Sequence, residues 1–152
     1  MPKNLLIVYH SQSGATLRLA AAARAGAQLE EGLVVNWRRA WDAGLEDLRQ
    51  CDGLLLAVAE NSGTMAGAMK DFLDRVFYPA QPLQLNLPYG LIVSAGNDGR
   101  GASQQVQRIM TGMPMKLVAE PLLLRGEVNT AMQAQCEELG QALAAGIVLG
   151  IY

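Results

Sequence analysis

The chain has 152 residues, 51% of them hydrophobic, and a formal net charge of −2. This length is typical of one domain with a sizeable apolar core, so we expect residues 1–152 to form a single domain. The 12 basic and 14 acidic residues are interspersed, which excludes the cationic stripe typical of nucleic-acid binding, and the two cysteines match no metal or redox spacing.

The termini carry no membrane or export pattern. Residues 142–152 are the most apolar stretch, but they are too few to span a bilayer. Pro2 and Lys3 lead directly into an apolar run without the features of a signal peptide. We therefore expect a cytoplasmic protein that has no membrane partner.

Apolar runs typical of buried strands alternate with stretches typical of helices along the chain. Ligands bind sheets built in this way at the carboxyl ends of the strands, where the strand order reverses. The alternation favours an α/β fold, in which a doubly wound, five-stranded parallel sheet of order 2-1-3-4-5 carries helices on both faces. Strands are predicted at residues 4–9, 33–37, 53–59, 89–94 and 115–124, and helices at 16–29, 45–50, 66–77, 102–111 and 130–148.

A turn rich in hydroxyl groups, Ser11-Gln12-Ser13-Gly14-Ala15-Thr16, follows the first predicted strand and opens the first helix. The first backbone N–H groups of a helix lack intrahelical acceptors, and the helix dipole adds positive potential there. Such a turn can hold a phosphate without a lysine. A plain N-cap formed by Ser13 or Thr16 explains the same residues equally well.

Polar turns also follow the third and fourth predicted strands. The third strand leads into Glu60-Asn61-Ser62-Gly63-Thr64 and Met65, and the fourth leads into the glycine-rich segment Ser94-Ala95-Gly96-Asn97-Asp98-Gly99. Glycines let a backbone approach a flat ring closely. Because the carboxyl ends of parallel strands meet at one edge of the sheet, we expect these turns and the first one to line a common pocket.

Two of these segments together resemble the flavodoxin-like family. Residues 11–16 match the Ser/Thr-x-Ser/Thr-Gly-x-Thr pattern that wraps the FMN phosphate in that family. Residues 62–74 are similar to the corresponding segment of the NAD(P)H:quinone reductases of the tryptophan-repressor-binding-protein type. Ser62 stands where those proteins have an aromatic residue, and Thr64 stands in place of an amide.

The resemblance implies a flavodoxin-like fold and an FMN-binding flavoprotein that takes electrons from NADH or NADPH and reduces quinones or similar small acceptors. A flavin carries the redox chemistry itself, so no catalytic side chain and no metal are expected. Whether the protein forms a homo-oligomer is left open. The predicted cofactor-binding residues are Ser11, Gln12, Ser13, Gly14, Ala15, Thr16, Glu60, Asn61, Ser62, Gly63, Thr64, Met65, Ser94, Ala95, Gly96, Asn97, Asp98 and Gly99.

Two alternatives stand beside this reading: a flavodoxin-type single-electron carrier between redox proteins, and a flavodoxin fold without flavin. Electron-carrying flavodoxins stack aromatic side chains on the ring, but the second and third turns contain none. Trp37 and Trp41 follow the second strand, and Tyr78 follows the third helix. An uncovered ring face and the modest net charge favour the enzyme, and we expect two-electron reduction to dominate.

Overall fold

Seven strands and five α-helices form the chain, and the computed structural model describes all of residues 1–152. The strands are β1 (Lys3–Tyr9), β2 (Leu33–Arg39), β3 (Gly53–Asn61), β4 (Thr64–Met65), β5 (Pro88–Ala95), β6 (Lys116–Leu117) and β7 (Leu122–Arg125). The helices are α1 (Ala15–Ala27), α2 (Leu45–Gln50), α3 (Gly67–Ala80), α4 (Arg100–Gly112) and α5 (Thr130–Leu149). A short 3₁₀ helix, Gln81–Leu83, follows α3.

The strands lie in the order β2-β1-β3-β5, and both β6 and β7 pair with β5. All of these pairs are parallel, with Ile7 beside Leu55 and Ala57 beside Ile92 in the centre of the sheet. Only β4 is antiparallel, as the return strand of a hairpin with β3. The predicted doubly wound order is therefore confirmed.

The strand predicted at residues 115–124 is divided into two segments. Both segments continue the sheet at the same edge, because β6 pairs with the start of β5 and β7 pairs with its end. Pro121 immediately precedes β7 and has no N–H group to donate to a neighbouring strand, so the ladder is interrupted before that residue. This division and the short β4 raise the strand count from the predicted five to seven.

Apolar side chains of the central strands alternate between the two faces of the sheet, as the period of a β-strand requires. Leu6 and Val8 pack with α2, α3 and α4, whereas Leu5 and Ile7 pack with α1 and α5. The sheet is thus covered on both faces, and its carboxyl edge stays free for ligands. None of the helices combines the length and the apolar character needed to cross a membrane.

Candidate functional site

The turn between β1 and α1 presents open hydrogen-bond donors. Gly14 has a φ of 99°, and its N–H donates to the Ser11 hydroxyl oxygen over 3.0 Å. The first intrahelical bond runs from Arg18 N to the Gly14 carbonyl oxygen, so the N–H groups of residues 15–17 precede any helical acceptor. No acidic residue lies in this first turn. The N-terminus of α1 is therefore suited to an anion.

Thr16 adds a hydroxyl group to the same place. The residue is only 3% exposed, yet it lies on the wall of a cavity and its hydroxyl has no hydrogen-bond partner within the protein. Its oxygen is not one of the buried atoms that lack a partner, so the hydroxyl is open to a ligand in the cavity. Ser13 lies on the same wall and is exposed.

The second turn is the tip of the β3–β4 hairpin. Ser62 and Gly63 have φ values of 52° and 78°, and Asn61 pairs with Thr64. Two successive positive φ angles define the tight turn that matches the twist of a hairpin, which explains the glycine. The hairpin packs on α4: Met65 N donates to Gln105 Oε1 over 2.8 Å, and the Gly63 carbonyl oxygen lies against Gly101.

Glu60 also reaches from the end of β3 to α4. Its Oε1 accepts the Gly99 N–H and its Oε2 accepts the Ala102 N–H, each over 3.1 Å. Asp98 Oδ1 accepts the Arg100 N–H over 3.0 Å at the same helix end. Carboxylates of the protein thus already occupy the N-terminus of α4, where an anion would otherwise be stabilised.

The turn after β7 forms a further wall, which the sequence analysis did not include. Gly126 N donates to the Ala95 carbonyl oxygen over 2.9 Å, and Arg125 Nε donates to the Asp98 carbonyl oxygen over 3.0 Å. These bonds place Glu127 at the cavity. The signal was present, since every strand of a parallel sheet ends at the ligand-binding edge. The predicted site residues belong to the turns after three strands only, so this turn is not among them.

The turns enclose a cavity of about 460 Å³ at the carboxyl edge of the sheet, within the size range of small-molecule sites. Nine predicted site residues line it: Gln12, Ser13, Ala15, Thr16, Glu60, Asn61, Ser94, Ala95 and Gly96. Ala59, Gly126 and Glu127 complete the wall. The other predicted residues lie in the same turns but outside the wall: Ser11, Gly14, Ser62, Gly63, Thr64, Met65, Asn97, Asp98 and Gly99.

The cavity wall contains two carboxylates, Glu60 and Glu127, and no lysine or arginine. An anion bound here must therefore be held by neutral donors. Both carboxyl oxygens of Glu60 are already bonded to α4, whereas Glu127 is exposed. The first turn of α1 itself contains no acidic residue.

No aromatic side chain lines the cavity. Trp37 stacks on Tyr9 with ring centroids 4.3 Å apart, and the Arg24 guanidinium covers the Trp37 ring at 4.9 Å. Trp41 is 57% exposed and meets His10 edge-on, with the ring centroids 6.2 Å apart. Tyr78 is 77% exposed on α3. A flat ligand in the cavity would keep an accessible face.

The fold and the pocket define the class of flavodoxin-like α/β proteins. An archaeal flavodoxin superposes with a TM-score of 0.84 at 22% identity, over 95% of this chain and 98% of that one. A flavodoxin from Streptococcus pneumoniae TIGR4 superposes with a TM-score of 0.78 at 19% identity, over 93% of this chain and 98% of that one. A WrbA-like flavodoxin from Agrobacterium tumefaciens also has a TM-score of 0.78, at 18% identity, over 95% of this chain and 97% of that one. At these identities the likeness shows the fold, and the predicted flavodoxin-like architecture is confirmed.

The family itself is shown by the sequence. Residues 36–130, more than half of the chain, match the model of the family described as NADPH-dependent FMN reductase. The chain therefore belongs to the NADPH-dependent FMN reductase family. No curated protein sequence matches it significantly.

Proposed function

We propose that this protein binds FMN in the cavity and works as an NAD(P)H-dependent oxidoreductase that reduces quinones or similar small acceptors. The observation that carries the proposal is the open N-terminus of α1, where the free hydroxyl of Thr16 and the unpaired N–H groups of residues 15–17 converge. This donor set suits a phosphate monoester, which needs several neutral donors and no nearby carboxylate. Family membership supports the same cofactor.

The other helix ends at this edge are less suited to a phosphate. Glu60 and Asp98 bind the N-terminus of α4, Asp47 accepts the Gly44 N–H at α2, and Asn129 accepts the Met132 N–H at α5. The start of α3 has no side-chain cap, but none of its residues lines the cavity. A single phosphate at α1 therefore fits the site, which favours FMN over FAD.

With the phosphate at α1, the flavin ring would extend toward the turns after β3 and β5, bordered by Asn61 and Gly96. Bound FMN would supply the redox chemistry, which is to accept a hydride from NAD(P)H and to pass electrons to the acceptor. The protein would hold the phosphate, present backbone groups to the ring edge and leave one ring face open. That open face is what a nicotinamide or a quinone requires.

We also propose that the protein resembles quinone reductases of the tryptophan-repressor-binding-protein type in its second turn. The motif residues Met69, Phe72 and Leu73 are buried in the core cluster that also contains Met65, and Lys70 pairs with Asp74 over 2.7 Å on the exposed face of α3. The buried residues anchor α3, which begins two residues after the hairpin. The remaining alternative is a flavodoxin-type electron carrier, which the same experiment separates.

The test is a comparison of three flavins followed by anaerobic reduction. Quenching of flavin fluorescence should show tighter binding of FMN than of either FAD or riboflavin. The FMN-loaded protein should then be bleached by NADH or NADPH and reoxidised by a simple quinone. No binding of FMN, or FAD binding as tight as FMN, would refute the site assignment. Slow reduction by both nicotinamides with an accumulating one-electron-reduced flavin would favour the carrier.

A further inference from the structure

Glu60 connects the two turns that border the ring end of the cavity. We propose that Glu60 is a positioning residue: its carboxylate fixes the β3–β4 hairpin against the turn before α4, and its charge tunes the reduction potential of bound flavin. The inference rests on the proposed function, because it concerns the ring end of the same FMN site.

The contacts place the carboxylate between the two turns. Glu60 belongs to β3 one residue before the end of that strand, and its backbone faces Met65 across the hairpin. Its two carboxyl oxygens accept N–H groups from Gly99 and Ala102, each over 3.1 Å. A second bond, from Met65 N to Gln105 Oε1, joins the hairpin to α4 farther along that helix. Of the residues that these bonds join, only Glu60 lines the cavity.

The local backbone of α4 needs such an acceptor. Gly99, the residue before α4, has a φ of 76° and no side chain that could cap the helix. Helices without a cap leave N–H groups unpaired, and Glu60 satisfies two of them from a different strand. A carboxylate accepts at both oxygens, whereas a glutamine would turn its NH₂ group toward one of these N–H groups. The geometry is therefore specific to a carboxylate.

The other side of the β5 turn is already held. Gly126 N and Arg125 Nε donate to carbonyl oxygens of Ala95 and Asp98. These two bonds fix the turn after β5 to the end of β7, and the bond from Gly99 to Glu60 fixes the same turn to β3. Removal of the Glu60 carboxylate would therefore loosen the link to β3 at the edge where the ring is expected to lie, while the bonds to β7 and the Met65–Gln105 bond stay in place.

The charge of Glu60 has a separate consequence. Reduced flavin tends toward an anion, and the carboxylate of a residue that lines the cavity opposes that negative charge. The N–H groups of Gly99 and Ala102 hold this carboxylate in place at the N-terminus of α4. Replacement of Glu60 by a neutral side chain should therefore raise the reduction potential of bound flavin. Aspartate keeps the negative charge, but its side chain is one methylene shorter and should not bond to the N–H groups of both Gly99 and Ala102.

The experiment compares Glu60→Gln, Glu60→Asp and a matched control, Asp52→Asn. Asp52 lies just before the opposite end of β3, and its Oδ2 accepts the Asn4 N–H over 2.8 Å, so the control removes a similar bond far from the cavity. We would measure riboflavin and FMN dissociation constants, the reduction potential of the bound flavin, and amide hydrogen exchange at Gly99 and Ala102 in the flavin-free protein.

Glu60→Gln should weaken riboflavin and FMN binding by a similar factor of about tenfold, raise the potential and accelerate exchange at both amides. Glu60→Asp should also weaken binding and accelerate exchange, but its potential should stay close to that of the wild type. Asp52→Asn should change none of these three quantities. If Glu60→Gln does not fold, the flavin affinity and the amide exchange rates of Glu60→Asp test the inference.

Two results would overturn the inference: unchanged riboflavin affinity and potential in Glu60→Gln, or, if that variant does not fold, wild-type affinity and exchange rates in Glu60→Asp. Failure of the proposed function looks different, because wild-type protein would then bind neither FMN nor riboflavin. The first of these results, when it is accompanied by faster amide exchange, would show that Glu60 has a purely structural role.

Discussion

The carbonyl oxygen of Gly63 occupies the space that a Cβ atom on Gly101 would need. The tip of the β3–β4 hairpin and the first turn of α4 are therefore in backbone-to-backbone contact, which only glycine at position 101 permits. Gly63 itself has a φ of 78°, where an added Cβ would meet no atom but the backbone would be strained. Both glycines serve one purpose, the close seating of the hairpin on α4.

Gly101→Ala should displace the hairpin, because the new methyl group meets a backbone oxygen that cannot move independently. We expect a loss of about 1–3 kcal/mol in the free energy of unfolding, together with weaker riboflavin binding. Denaturant unfolding and fluorescence titration measure the two effects. Gly67→Ala is the matched control at the start of α3, where an added Cβ meets nothing within 4 Å. Equal stability of the two variants would show that the contact is unimportant.

Removal of the two hydroxyl groups at α1 should weaken the binding of phosphorylated flavin selectively. In the variant Ser13→Ala with Thr16→Val, valine keeps the shape of the buried threonine. Hydrogen bonds to a charged group contribute about 1.5–3 kcal/mol each, so FMN affinity should fall at least about a hundredfold if the two effects add.

Riboflavin is the internal control for this variant, since it has no phosphate and its affinity should be nearly unchanged. Thr111→Val, on the exposed side of α4, provides a control substitution whose hydroxyl bonds only to the Gln107 carbonyl oxygen. Fluorescence titrations of both flavins with the three proteins give the comparison. Retention of wild-type FMN affinity in the double variant would place the phosphate elsewhere.

The packing of α1 on α5 depends on another glycine. The position of a Cβ on Gly26 is taken by the carbonyl oxygen of Glu137, and Gly140 meets the Ala23 carbonyl oxygen in the same way. Gly26→Ala should force the helices apart and lower the free energy of unfolding by about 2 kcal/mol or more. Thermal unfolding tests this, and a melting temperature equal to that of the wild type would contradict it.

The two cysteines should be unreactive in the folded protein. Burial raises the pKa of both the Cys51 and Cys136 thiols to about 12, so almost no thiolate exists near pH 8. A chromogenic disulfide reagent should label them only as the protein unfolds in denaturant. Rapid labelling of the native protein at either position would contradict the burial.

The same thiols make stability depend on alkaline pH. A folded-state pKa above that of the unfolded chain contributes stability that is complete below the unfolded value, near 8.5, and is lost as the pH rises toward about 12. Burial also raises the pKa of the Tyr89 hydroxyl to about 12, which acts in the same direction at higher pH. Denaturant unfolding from about pH 8 to 11 should therefore show falling stability, and Cys136→Ala should reduce the slope.

Local patterns were sufficient for the sheet order, the helices and the donor-rich turn before α1. The α1 turn was predictable because its donors belong to consecutive residues, from Ser11 to Thr16, and need only a strand before them and a helix after them. The division of the fifth predicted strand had a local signal too, in Pro121, but the positions along β5 at which its two parts pair depended on the neighbouring strand.

The alternation of strands and helices, and the hydroxyl groups and glycines at the ends of the strands, can be predicted from the residues alone, because periodicity and turn chemistry act over a few residues. What those strand ends contact depends on how the strands and helices pack. Glu60 bonds to residues 39 and 42 positions away, and Gly126 closes the cavity on Ala95. Such contacts arise from the packing of separate strands at one sheet edge, and no local pattern encodes that a carboxylate at the end of β3 will occupy the N-terminus of α4.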